Sequence, residues 1–131
     1  MPFELIRTEP FERQFRKILK QFPRSAGSIN SAIDDLADNL KGDAYPGFYE
    51  FTIMKLRIPL KEYKIGKSSG LRLVYLLLED KNKLIPLLIY YKVKFPTEHK
   101  VKKMIKKKLK EVLEYKTGGP NGKTDGTDYA D

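Results

Sequence analysis

The chain has 131 residues, the size of a single domain. It contains no cysteine, which excludes disulfides, thiolate metal sites and cysteine catalysis. Its 26 lysines and arginines outnumber 17 acidic residues, and the resulting net charge of +9 favours polyanionic partners: nucleic acid, ribosomes, anionic lipid or an acidic protein.

The opening Met1-Pro2-Phe3-Glu4 lacks the basic and then apolar pattern of a secretory leader. No apolar run approaches the ~20 residues of a membrane span, so a cytoplasmic chain without a membrane partner is expected. Residues 2–7 alternate imperfectly and read as a short strand. Thr8 is placed to cap a helix entered through Pro10, with Phe11, Phe15, Ile18, Leu19 and Phe22 at three- and four-residue spacing and Pro23 as its stop. A second helix is expected after Ser25 or Ser28, with an apolar stripe from Ile29 to Leu40 and Gly42 as its left-handed cap. The two helices form an α-hairpin.

Tyr49 to Ile58 is β-branched and aromatic enough for a strand, and Pro59 ends it or marks an edge. Residues 60–70 are a lysine-bearing connection. Leu71–Leu78 reads as a buried strand, Asp80–Lys83 as a hairpin turn and Leu84–Val93 as the partner strand, where Pro86 suggests a bulge or irregular start. Thr97 then caps a final helix with Val101, Met104, Ile105, Leu109, Val112 and Leu113 on one stripe. The order β-α-α-β-β-β-α predicts an α+β domain, an antiparallel sheet with helices packed on one face. The single domain is expected over residues 1–115. Residues 116–131 read as a disordered tail, whose two lysines against three aspartates leave the basicity in the domain.

Residues 92–110 hold nine lysines and one glutamate. A lysine run of this kind is often a solvated helix face, and a membrane-surface helix is a further reading. The apolar stripe is needed to cover the sheet, which argues against lipid. Gly66-Lys67-Ser68 mimics the end of a phosphate-binding loop, but Lys61 stands where the first glycine belongs and a strand follows instead of a helix. Ser68 and Ser69 lack a nucleophile elbow, and His99 is the only histidine. No metal-ligand cluster and no cofactor motif is present, so neither metal nor cofactor is expected.

One constellation does carry chemistry. Lys61, Lys64 and Lys67 share a loop with Tyr63, Arg72 interrupts the apolar strand that follows, and the facing strand ends in Tyr90-Tyr91-Lys92-Val93-Lys94. The hairpin brings these to one side of the sheet as a basic patch interleaved with tyrosines, suited to phosphates and unpaired bases. Packing in the core is the competing reading for Tyr90, Tyr75 and Leu73.

The run Gly66-Lys67-Ser68-Ser69-Gly70-Leu71-Arg72-Leu73-Val74-Tyr75 resembles the central signature of RelE/ParE toxins. Pro10–Leu19 is similar to that family's first helix, and Ile89-Tyr90-Tyr91-Lys92 to its last strand. The resemblance spans about residues 3–113 and implies the RelE/ParE-like fold. It also implies a toxin paired with a cognate antitoxin protein, with the ribosome and mRNA as partners and ribosome-dependent mRNA cleavage as the activity. Cleavage of that kind is attack of a ribose 2′-hydroxyl on the adjacent phosphate without a metal. On this resemblance Arg72 stabilises the phosphate, Lys64 and Lys67 are catalytic lysines, Lys92 is a further cation, and Lys61, Tyr63, Tyr91 and Lys94 contact RNA. The family's terminal acid/base group has no clear counterpart here. His99 is the candidate by chemistry, since an imidazole ordinarily titrates near neutrality, and an idle surface histidine is the alternative. Two further outcomes share the fold: a ParE-like inhibitor of DNA gyrase, and an inactive nucleic-acid-binding member.

Overall fold

Seven consecutive residues, Leu71 to Leu77, are buried although a strand turns successive side chains to opposite faces. Such a strand needs cover on both sides. The computed structural model, which describes residues 2–94 and 97–116, supplies it. The elements are β1 (Glu4–Leu5), α1 (Glu9–Gln21), α2 (Ala26–Leu36), β2 (Asp43–Ala44), β3 (Thr52–Ile58), β4 (Leu71–Leu78), β5 (Lys83–Tyr91) and α3 (Glu98–Lys116). They form an α+β domain around one five-stranded sheet of order β1-β5-β4-β3-β2.

Two expectations are corrected. The sheet is mixed: β3, β4 and β5 are antiparallel neighbours, but β1 lies parallel to β5. The α1–α2 hairpin and β2–β4 separate β1 from β5 in the chain, and a local pattern of two strand residues carries no information about that distant pairing. The helices also divide between the faces. Phe11, Phe15, Ile29 and Ile33 of α1 and α2 pack on Leu71, Leu73, Tyr75 and Ile89. On the opposite face Val101, Ile105, Leu109 and Val112 of α3 pack on Val74, Leu76, Ile85 and Leu88. The run Leu73–Leu78 of β4, apolar on both faces, held this information.

The Thr8 hydroxyl accepts from the Phe11 amide and starts α1. Helix α2 stops at Leu36, short of the expected Leu40. The Ala37 carbonyl accepts the Phe3 amide at 2.8 Å, and the Asp35 carboxylate takes the Asn39 side-chain amide and pairs with Lys41 at 3.2 Å. These bonds draw the chain out of the helix, leaving Leu40 exposed. The expected tail lies outside the described residues except for Lys116, which ends α3. No helix among the described residues is long and apolar enough to cross a membrane.

The irregularity expected at Pro86 is a bulge. Tyr75 pairs with Pro86 but Val74 pairs with Leu88, so Leu87 is the extra residue. Leu87 and Leu88 both join the α3-side core. The shift in parity sends Tyr90 to the α3 face and Tyr91 to the α1 face. Beyond the two-residue pairing with β1, the outer edge of β5 finds a side chain as its partner. The Gln14 amide donates to the Ile89 carbonyl, and its oxygen accepts the Ile89 amide at 2.8 Å. Replacing Gln14 with leucine strands both backbone groups and is expected to lower unfolding free energy by about 1–3 kcal/mol in urea titration. An unchanged midpoint would show that water serves Ile89 equally well.

Candidate nucleic-acid interface

The lysine loop between β3 and β4 is built from two 3-10 turns, Lys61–Tyr63 and Lys67–Ser69. Leu60, fully buried, exchanges backbone bonds of 2.9 and 3.1 Å with Ile65, so the residues between them form a tight knuckle. Lys64 sits at its tip with φ 58°, the left-handed region that lysine adopts only when its surroundings enforce it. Those surroundings are Glu62 and Tyr63. The Glu62 carboxylate accepts the hydroxyls of Ser25 at 2.9 Å and Ser28 at 3.1 Å. The Tyr63 oxygen accepts the Arg24 amide at 2.9 Å, its ring lies 4.5 Å beneath the Arg24 guanidinium, and its edge meets Phe22. Tyr63 is thus half-buried and Glu62 is held against the start of α2 at the surface, while Lys61 and Lys64 stay exposed.

Gly70 joins this loop to the rest of the sheet. A Cβ there would stand 2.4 Å from the Ile58 carbonyl oxygen and 3.0 Å from that of Gly66, so only a bare backbone fits. The Gly70 carbonyl accepts the Lys92 amide at 3.0 Å. That bond sets the turn Lys92–Lys94 beside the turn Lys67–Ser69, at the same end of the sheet. Lys67, Lys92 and Lys94 are exposed.

Arg72 lies behind these turns and is only 4% exposed. Its guanidinium donates to the carbonyls of Lys67 at 2.8 Å, Ser68 at 3.1 Å and Leu71 at 3.3 Å. Arginine is the side chain whose planar fork of donors suits several carbonyls at once. Burial, and then the neighbouring Arg57 charge, hold its pKa below the ordinary arginine value. Arg72 faces Arg57 on β3 and Tyr90 on β5, a row across three strands on the α3 face. Burial pushes the Tyr90 hydroxyl up to about 12, so it stays protonated at neutral pH. One register step along, Lys55 lies 5.0 Å from the Tyr45 ring centroid and 3.9 Å from the Glu98 carboxylate. The Tyr45 hydroxyl donates to Glu98 at 2.5 Å, and burial followed by this bond raises its pKa well above the ordinary tyrosine value.

The structure therefore gathers Lys61, Lys64, Lys67, Lys92 and Lys94 at one end of the sheet and adds Arg57, which shares a cleft with Lys61 and Lys67. None of these six cations is in an ion pair among the described residues. The tyrosines are not interleaved with them. Tyr63 and Tyr91 both pack edge-on against Phe22, on the α1 side of the sheet. His99 is exposed and shares the outer face of α3 with Lys103 and Lys106, away from the stripe that meets the sheet. Sequence reading missed Arg57, Lys55, Tyr45 and Glu98. The alternation of Ile53, Lys55 and Arg57 with Met54, Leu56 and Ile58 was the available signal, since it marks one face of β3 as cationic.

Gly70→Ala forces a methyl group into two carbonyl oxygens and is expected to cost about 1–3 kcal/mol, read as a lowered urea midpoint. The Glu62 carboxyl is held below the usual carboxylate range by its own backbone amide, and then by Ser25 and Ser28. A lowered folded-state pKa means that this fastening is complete above the unfolded value of about 4.3 and is lost as pH falls through the folded value. The protection of the Lys64 amide, its exchange relative to an unstructured peptide at the same pH, should therefore fall on acidification in the wild type, and Glu62→Gln should abolish that fall. An identical acid response in both proteins would remove Glu62 from the knuckle's support. Compared with known proteins, the chain matches no family profile, no curated protein and no solved structure.

Proposed function

We propose that the chain is a RelE-like toxin domain that cleaves mRNA on the ribosome, acts in the cytoplasm and is held inactive by a cognate antitoxin. The observation that carries this reading is the cluster of six exposed cations, none in an ion pair among the described residues, on β3 and three turns at one end of the sheet. Such a surface attracts a phosphate backbone over distance and binds it with strong salt dependence. The signature from Gly66 to Tyr75, which runs through the second turn into β4, supports the family resemblance, and the expected β-α-α-β-β-β-α order is met except for the additional two-residue strand β2.

The reaction needs no redox partner. The 2′-oxygen forms a bond to phosphorus, the bond from phosphorus to the 5′-oxygen breaks, and the products are a cyclic phosphate and a 5′-hydroxyl. The 2′-proton leaves to a base, and the departing oxygen gains a proton. Lys64 and Lys67 are placed to stabilise the negative charge that builds on the phosphate, with Lys92 and Lys94 contributing further charge. Arg72 acts as a positioning residue, because its guanidinium bonds fix the turn that carries Lys67. Arg57, exposed beside it, is the arginine free to face a phosphate. His99 has no part in this arrangement.

One observation favours a second reading. Arg72, Tyr63 and Tyr91 are engaged in packing and carbonyl bonds, which leaves lysines without an adjacent acid–base partner. A surface of that kind serves binding alone, as in a ParE-like inhibitor of DNA gyrase or an inactive RNA-binding domain. Primer extension on a translated message after brief induction separates the readings. The nuclease reading expects translation-dependent cuts that fall about a hundredfold or more in Lys64→Ala/Lys67→Ala. That pair is a better test than Arg72→Ala, which would also release the turn. Growth arrest without cuts would replace cleavage with gyrase binding, and neither arrest nor cuts would leave an inactive binding domain.

A further inference from the structure

The outer edge of β3 is only partly covered. Strand β2 contributes two pairs, Asp43 with Lys55 and Ala44 with Met54. Gly42 then turns away with φ 119°, its α-carbon set so close that a Cβ would stand 2.7 Å from the Lys55 carbonyl oxygen. Among the described residues no strand pairs with Leu56, Arg57 or Ile58 on that side. The Tyr45 amide reaches the Ile53 carbonyl, and Gly42 approaches that of Lys55. Odd-numbered residues of β3 thus direct their backbone groups outward, and Arg57 is the next in that series. A bare strand edge with both donor and acceptor is a template for another strand.

Beside this edge a cleft of about 210 Å³ opens toward α2. Ala32, Leu56 and Ile58 give it apolar surface, and Lys41, Lys61 and Lys67 surround it. Arg57 completes a set of four cations, of which Lys41 is paired with Asp35 and the other three are in no ion pair among the described residues. Asp35, which also lines the cleft, is occupied by Asn39 and Lys41.

We propose that the uncovered edge of β3 is a docking site for an extended acidic segment of a partner protein, which joins the sheet as an added strand. Its backbone pairs with Arg57. Alternate side chains enter the cleft over Leu56 and Ile58, where carboxylates meet Lys41, Lys61 and Lys67 at its rim, and those on the opposite face meet Arg57. A polyanion such as RNA answers the charge but not the edge, because its donors, the 2′-hydroxyls and base edges, are not arrayed with its acceptors at the spacing of a strand. A peptide supplies both donor and acceptor. The inference concerns binding at β3 and stands apart from mRNA cleavage, so either can fail without the other.

The test uses the full chain and a fluorescent synthetic peptide alternating glutamate with valine, followed by anisotropy. Binding is expected, with affinity reduced about tenfold or more by Lys41→Glu/Lys61→Glu and lost when alternate peptide amides are N-methylated. In the wild type, the peptide should also slow hydrogen exchange of the Arg57 amide, a readout that does not depend on any variant folding. Equal binding of the N-methylated peptide, or an Arg57 amide unaffected at saturation, would overturn strand addition. Failure of the peptide to bind while polyuridylate slows exchange at Arg57 would assign the cleft to nucleic acid instead.

Discussion

Arg72 and Gly70 together tie the functional end of the molecule to its core. The guanidinium is withdrawn from solvent and spends its donors on three carbonyls, two of them in the turn that carries Lys67. Two residues earlier the bare backbone of Gly70 lies against the end of β3 and accepts the amide of Lys92. The lysines on both turns are long and hydrated, and gain little by holding any one position. Their placement derives from the short, buried segment behind them. A charge that would be costly to bury alone is tolerated here because its hydrogen bonds are satisfied, although Arg57 alongside makes it costlier.

Much of the architecture follows from local pattern. The spacing of Phe11, Phe15 and Ile18, the cap at Thr8, the hairpin of β4 and β5 and the irregularity at Pro86 are all visible in sequence, because each depends on neighbours within a few residues. What was not visible depends on tertiary partners. Leu36 ends its helix because Phe3, far earlier in the chain, takes the next carbonyl. β1 chooses β5 as a parallel neighbour for reasons that two strand residues cannot express.

The candidate site was legible as a set of charges and not as a geometry. Lys61, Lys64, Lys67, Lys92 and Lys94 occupy turns, as their polar surroundings imply. Arg72 looked available because it interrupts an apolar strand, yet an arginine in that setting is equally suited to capping a turn, and the carbonyls it meets belong to residues four and five positions earlier. Tyr90 and Tyr91 differ in fate through the extra residue Leu87, which exchanges the faces they would otherwise occupy. Arg57 required the register of β3 against β4 before its position beside Arg72 had meaning.

The division of helices between the two faces bears on how the chain is made. Helices α1 and α2 leave a ribosome before β4 and β5, with Phe11, Phe15, Ile29 and Ile33 ready for burial, but the surface they cover belongs to those later strands. The opposite face closes only when α3 follows. Synthesis therefore leaves an apolar hairpin waiting through most of elongation, a state that favours chaperone capture or self-association over early docking. The same delay means that the basic end is assembled late, so a partial chain carries the lysines without the scaffold that sets them in place.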